Sequence, residues 1–221
     1  MSSVPKSASR FRGVIKFGPL IGLICALCLA LAACADSDGY LPQNGDIIFH
    51  TSTSSQSKAI QLATHSAYSH MGIVYIRDSV PYVYEAIQPV KSTPLQQWIS
   101  RGEGKRYVVK RLKRAEEILV PEVFDGMWRI GEAMQGKDYD LTFEWSDDRI
   151  YCSELVWKMY KRGAGVELGS LQNLQQFDFS HDVVKAKIQQ RYPNGLPENE
   201  PVISPDAIFR SEQLETVFES L

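Results

Sequence analysis

Residues 20–33 read Leu-Ile-Gly-Leu-Ile-Cys-Ala-Leu-Cys-Leu-Ala-Leu-Ala-Ala, 14 positions without a charge. The stretch before them holds Lys6, Arg10, Arg12 and Lys16 and no acid. A basic flank followed by an apolar run of that length describes a secretory signal peptide, which takes no part in the mature fold. The folded part must therefore be built from the residues after position 33, a length that buries a single core. Across the chain 44% of residues are hydrophobic and 23% charged, which excludes a disordered or collagen-like polymer. With residues 1–33 set aside, 26 acidic residues face 20 basic ones. Such a domain lacks the basic footprint that nucleic acid requires, and no long Lys/Arg run is present to hold an anionic membrane.

The apolar run ends in Leu31-Ala32-Ala33-Cys34. This resembles the bacterial lipoprotein box, in which cleavage falls before a cysteine that carries lipid. Residues 1–33 are thus expected to be a lipoprotein signal peptide, and residues 34–44 the lipidated Cys34 and a polar tether. Residues 45–221 are expected to be the folded domain. The competing reading is an uncleaved span over residues 17–35, marginal against the roughly 20 apolar residues a crossing needs. Both readings place the basic end inside. Ala35, not Asp, follows Cys34, which by the sorting pattern of such lipoproteins implies the outer membrane of a bacterial envelope.

The chain has four cysteines: Cys25, Cys28, Cys34 and Cys152. Two leave with the signal peptide and one is lipidated, so Cys152 is an unpaired thiol in an oxidising compartment. Apolar and β-branched runs predict strands near residues 45–50, 69–76, 82–87 and 107–112. Helices are expected over 58–64, 121–135, from about 146 to 160, and 182–190. A final amphipathic segment lies near 212–218. Ser55 or Ser57 is the expected cap of the first helix, Ser146-Asp147-Asp148 reads as the start of the third, and Gly163 as its stop. The mixture is α+β.

Cys152 falls in the opening turn of a helix, where unpaired amides and the macrodipole favour a thiolate and can hold an oxyanion. A small buried apolar residue is the plainer reading of a cysteine. Its partner would be His50, His65, His70 or His181. His70 opens a strand that can aim it; His181 and His65 read as solvated or in a loop, and His50 could merely satisfy a backbone group. With a two-residue turn at Asp78-Ser79, Gly72 faces Glu85, and Glu85 lies diagonal to His70 on one sheet face. A register shifted by two would set them directly opposite. Either way a carboxylate stands beside the imidazole, as a Cys-His-acid triad requires; an exposed strand glutamate is the alternative. Zinc on Cys152, His65 and His70 finds no Cys-x-x-Cys or His-Glu-x-x-His pattern in support, so no metal and no cofactor is expected. No Gly-x-Ser-x-Gly elbow is present.

Gly45-Asp46-Ile47-Ile48-Phe49, Ala67-Tyr68-Ser69-His70-Met71-Gly72-Ile73-Val74, Tyr84-Glu85-Ala86 and Tyr151-Cys152-Ser153-Glu154-Leu155-Val156-Trp157 together resemble the permuted papain-like amidases of the YiiX/YaeF group, within the NlpC-type cysteine hydrolases. The histidine preceding the cysteine is the order of the circularly permuted form. The resemblance implies a permuted papain-like α+β fold, with a small antiparallel sheet packed against helices. It matches Cys152 to the nucleophile, His70 to the base and Glu85 to the third polar residue; Asp46 and Tyr68 match motif positions of open role. Together with the lipoprotein box it implies a lipid-anchored cysteine hydrolase that cleaves an amide bond in a cell-wall peptide, a peptidoglycan stem peptide or a derived fragment. A lipid acyltransferase or phospholipase-like enzyme, and a non-catalytic binding module, are the other classes.

Overall fold

The computed structural model describes residues 39–220. The expected signal peptide, Cys34 and most of the expected tether lie outside them. The chain forms β1 (Ile47–His50), α1 (Ser57–Thr64), β2 (His70–Arg77), β3 (Val80–Glu85), β4 (Lys91–Pro94), α2 (Leu95–Ile99) and β5 (Val108–Leu112). It continues through α3 (Ala115–Ile118), α4 (Pro121–Glu132), α5 (Cys152–Met159), β6 (Gln172–Asn173), α6 (Asp182–Arg191), β7 (Pro201–Val202), α7 (Pro205–Phe209) and β8 (Leu214–Glu219). Six strands make one antiparallel sheet in the order β4-β3-β2-β1-β5-β8, and β6 pairs with β7 apart from it.

The centre of the sheet is covered on both faces, which is why β1 and the first six residues of β2 are buried without polar alternation. Ile47, Phe49, Met71, Ile73 and Tyr84 meet Leu155, Val156 and Met159 of α5 and Met127 of α4. Ile48, Val74, Val83 and Val109 form a second cluster with Leu95, Trp98 and Ile99 of α2. Asp78 and Ser79 both take left-handed φ, 51° and 63°, the two-residue turn that suits strand twist. Ile73 then faces Tyr84 and Arg77 faces Val80, the register expected of that turn. A Cβ at Gly72 would stand 2.5 Å from Val83 Cγ1, 2.7 Å from the Tyr84 carbonyl oxygen and 3.3 Å from Glu85 Cβ. Glycine is what lets Glu85 lie across from position 72.

Several sequence expectations need correction. The third helix starts at Cys152; Asp147 pairs instead with Lys158 and Arg162. Gly163 does not end it: α5 runs into a π-helical turn over Tyr160–Ala164 and stops at Gly165, φ 69°. Gly163 serves close packing, since a Cβ there would meet Met127 Cα at 2.4 Å. Gln56, neither Ser55 nor Ser57, occupies the cap position of α1. The final segment is the edge strand β8. Strand β4 is an addition, for Lys91-Ser92-Thr93-Pro94 has no strand-like pattern.

Candidate active site

Helix α5 packs on β2, so its first turn meets the first residues of that strand. Tyr151, extended at φ −105°, caps the helix and its side chain makes no cap bond. Early amides of a helix have no intrahelical acceptor. The Ser153 amide donates to the Cys152 sulfur, and the Met71 amide of β2 donates to it as well. Cys152 is 3% exposed.

His70, the first residue of β2, is hydrogen-bonded to Cys152 on one side. On the other its Nε2 lies 2.7 Å from Glu85 Oε2. With Nε2 committed to Glu85, Nδ1 is left for the sulfur. Glu85, the last residue of β3, has no solvent exposure. Its second oxygen accepts from Thr93 Oγ1 at 2.5 Å and from the Arg101 guanidinium. The structure therefore brings together all three residues singled out in the sequence, and adds Thr93 and Arg101 behind them.

The electrostatics follow from this chain of contacts. Burial alone would drive the His70 pKa down, but the bonds to Cys152 and Glu85 outweigh it and lift it to about 9. Burial opposes a Cys152 thiolate; His70, by bond and charge, and the two amides reverse that and lower its pKa. Burial likewise opposes a charged Glu85, yet His70, Thr93 and Arg101 hold it down at about 2. These contacts favour a thiolate, imidazolium, carboxylate and guanidinium in series, alternating in sign. Each buried charge has an opposite neighbour, which is the condition for tolerating it.

The other histidines stand apart from this chemistry. His50 stacks on Trp98 with ring centroids 3.9 Å apart and lies 5.3 Å from the His70 ring. Burial first, then the charges of His70 and Arg101, lower its pKa to about 2, so it is a neutral wall and no base. It satisfies no backbone group through Nδ1, which is buried without a partner. His65 pairs with Asp178 at 3.2 Å, with most of its side chain exposed, and His181 is 3.9 Å from the same carboxylate. Glu154 is buried beside Lys158 at 2.6 Å, and burial lifts its pKa to about 7 against the pull of Lys158.

Tyr139 was not legible in the sequence. Its hydroxyl is hydrogen-bonded to Cys152 and accepts from Gln56 Nε2 at 3.0 Å, and Gln56 Oε1 accepts from Arg191 at 2.7 Å. Tyr139 sits in an irregular loop with no periodic pattern to mark it. Asp46 is a structural latch: it is fully buried and accepts from Tyr40 at 2.6 Å and from Arg111 at 2.6 and 2.8 Å. Tyr68 packs against Phe49 and Phe209.

A polar cleft opens beside His70, bordered by Ser52, Thr53, Gln88, Arg101 and Tyr139. Among the described residues, no group of three or more His, Cys, Asp or Glu side chains is arranged to hold a metal ion. Both ring nitrogens of His70 are already engaged, so the centre does not fit one. The arrangement suits nucleophilic acyl transfer: a sulfur nucleophile, an imidazolium that can give its proton to a leaving group, and a carboxylate that orients the ring.

Residues 41–218 match the model of a family described as permuted papain-like amidase enzyme, YaeF/YiiX, C92 family. The chain is 48% identical over 191 residues to the uncharacterized protein YiiX of Escherichia coli (strain K12), covering 86% of this chain and 93% of that protein. It is also similar to the crystal structure of the metalloprotein yiiX from Escherichia coli O157:H7. That likeness has a TM-score of 0.77 and 50% identity, and covers 82% of this chain and 99% of the other. With the histidine-before-cysteine order, the antiparallel sheet and the family match over nearly the whole described region, the chain belongs to the permuted papain-like amidase family YaeF/YiiX.

Proposed function

We propose that this protein is a cysteine amidase of the bacterial envelope, anchored to the membrane, as an outer-membrane lipoprotein, through lipid on Cys34. The observation that carries the reading is the hydrogen-bonded series Cys152, His70, Glu85, closed by Thr93 and Arg101. Cys152 attacks the amide carbonyl as a thiolate. The amide hydrogens of the first turn of α5, with the Tyr139 hydroxyl nearby, stabilise the oxyanion. His70 gives its Nδ1 proton to the departing amine, leaving a thioester on Cys152. Water, deprotonated by His70, then attacks the thioester, releasing the acid and leaving the Cys152 thiolate beside a protonated His70. Glu85 holds the ring with Nε2 protonated throughout. The metalloprotein designation of the E. coli structure gains no support from this centre, and no step here is routed through a metal.

The compartment and the family make cell-wall peptides, stem peptides or their fragments, the first substrate class to test. The mature protein is incubated with purified muropeptides and with acyl amides, and products are read by mass spectrometry. A freed amine that disappears in Cys152→Ala supports the reading. Turnover that survives Cys152→Ala, or a Cys152 with the reactivity of a free thiol near pKa 8.5, overturns it.

A further inference from the structure

Three segments distant in sequence each place one polar side chain in a series that ends on the Cys152 sulfur. Gln56 occupies the cap position of α1, yet its backbone is already helical, φ −89° and ψ −16°, and its side chain makes no cap bond. Cap positions favour Ser, Thr, Asp or Asn, whose short side chains accept from first-turn amides. A glutamine that does no capping has its carboxamide free to reach elsewhere. Arg191 is the last residue of α6, where the helix C-terminus favours a cation, and its guanidinium lies 5.3 Å over the Phe143 ring. Tyr139 is held by its backbone: its amide donates to Gln88 Oε1 at 2.7 Å, and it forms an isolated parallel bridge with Ile150.

Donor and acceptor rules fix the direction of every bond in the series. A guanidinium can only donate. Arg191 donates to Gln56 Oε1 at 2.7 Å, which sets the carboxamide with its nitrogen toward Tyr139. Gln56 Nε2 then donates to the Tyr139 hydroxyl oxygen at 3.0 Å. A flipped carboxamide would set donor against donor at Arg191, and its oxygen would draw the phenolic hydrogen away from the sulfur. In the arrangement observed the hydroxyl oxygen already accepts, so its hydrogen is directed at Cys152, to which the hydroxyl is bonded. Burial, and then the charge of Cys152, hold the Tyr139 pKa well above the ordinary tyrosine value, so the phenol keeps its proton and remains a donor. The adjacent carboxylate of Asp140 does not compete for that hydrogen, because it accepts from the Thr142 and Glu144 amides at 2.8 and 2.6 Å.

Resting on the amidase reading above, we infer that Gln56 and Arg191 are positioning residues for the reaction, which together aim the Tyr139 hydroxyl hydrogen at the Cys152 sulfur. Tyr139, touching the reacting atom, is then a catalytic residue, and Gln56 and Arg191 act only through it. Before attack the bond stabilises the thiolate. When the sulfur bonds to the carbonyl carbon, the electron pair of the C=O bond moves to oxygen and sulfur loses its charge. The hydroxyl turns to that oxygen without giving up its proton, and the proton for the leaving amine still comes from His70. A donor whose direction is set beforehand costs no reorganisation when the charge moves.

The test is a double-mutant cycle on the detergent-solubilised mature protein. Its readout is the pH midpoint of Cys152 alkylation by iodoacetamide, followed by peptide mass spectrometry, with circular dichroism as the check on folding. The wild-type midpoint should lie well below the free-thiol value of about 8.5. Tyr139→Phe should raise it by about one pH unit, the loss of one hydrogen bond to a charged group. Gln56→Met, neutral and of similar length, should raise it by about half a unit. Gln56→Ala, which also removes no cap bond, should repeat that result. In the Tyr139→Phe background Gln56→Met should add nothing, because no hydroxyl is left to aim. A structural role for Gln56 would act with or without the hydroxyl. Arg191→Lys, still a cation that only donates, should move the midpoint less than Arg191→Met. An unchanged midpoint in Tyr139→Phe, a Gln56→Met shift that persists in full in the double variant, or equal shifts in the two Arg191 variants overturns the inference, and a low wild-type midpoint leaves the amidase reading standing. A wild-type midpoint near the free-thiol value overturns both.

Discussion

Replacing Glu85 by glutamine keeps shape and removes one charge from a fully buried position. In the wild type both carboxylate oxygens accept: one from His70 Nε2 at 2.7 Å, the other from Thr93 and Arg101. Glutamine can accept through only one of its two ends. If its NH2 faces Arg101 and Thr93, donor meets donor beside a guanidinium. If it faces His70, Nε2 must become the acceptor, and the ring then carries its proton on the Cys152 side without a charge. Neither orientation supports the thiolate–imidazolium pair. The bond to Glu85 is one of two that lift the His70 pKa to about 9 against burial. A hydrogen bond to a charged group is worth on the order of 2 kcal/mol. Turnover should fall about ten- to hundredfold. The substrate-independent assay is the pH profile of Cys152 alkylation, whose midpoint should move up by about one to two units while circular dichroism stays native. A Glu85→Gln profile that overlays the wild type would refute this reasoning and leave a Cys-His pair without its carboxylate.

Four further outcomes rest on the same contacts and sequence signals. Cys34→Ser should release the protein from the membrane fraction or leave an unprocessed precursor; processed protein that stays membrane-bound would rule out the lipid anchor. Wild-type kcat/KM should decline as pH rises through about 9, where His70 loses the proton it gives to the leaving amine; a flat profile to pH 10 would contradict this. Gly72→Ala should cost about 1–3 kcal/mol in chemical denaturation, because its methyl meets Val83 and the Tyr84 carbonyl, and should lower activity by displacing Glu85. Glu154 has a folded pKa near 7, raised from 4.5, so it supports the fold while protonated and that support fades as pH rises through 7. Glu154→Gln should therefore flatten the fall in stability between pH 5 and 8, and cost less activity than Glu85→Gln; an unchanged slope would refute the first half and a reversed ranking the second.

The sequence carries the parts of the site that local rules control. A two-residue turn leaves a hairpin few registers, so the placement of Glu85 near His70 can be worked out from Asp78-Ser79 and strand alternation. A helix that carries Cys152 follows from the apolar spacing after it. What escapes depends on long-range contact. Thr93 and Arg101 reach Glu85 only because β4 pairs with β3, and Lys91-Ser92-Thr93-Pro94 has none of the β-branched, apolar character that marks a strand. Tyr139 comes from a loop fixed by single bonds, such as its own amide to Gln88 Oε1 at 2.7 Å. The start of α5 reads too early in the sequence because Ser146-Asp147-Asp148 has cap chemistry, while its aspartate is spent on Lys158, a buried cation one helix turn after Glu154. An apolar cavity that reaches Cys152, lined among others by Ala59, Leu174, Val184 and Val202, draws on segments from α1 to β7, distant in sequence, and no local pattern announces such a convergence.

The central claim is that Cys152 carries the acyl group. The most direct measurement is rapid acid quench of the wild-type protein during turnover of an acyl amide, followed by intact-mass and peptide-mass spectrometry. The mechanism predicts a transient species heavier by one acyl group, mapped to the peptide containing Cys152, cleaved by hydroxylamine and absent in Cys152→Ala. Turnover with no such adduct, or an equal rate in Cys152→Ala, would contradict it.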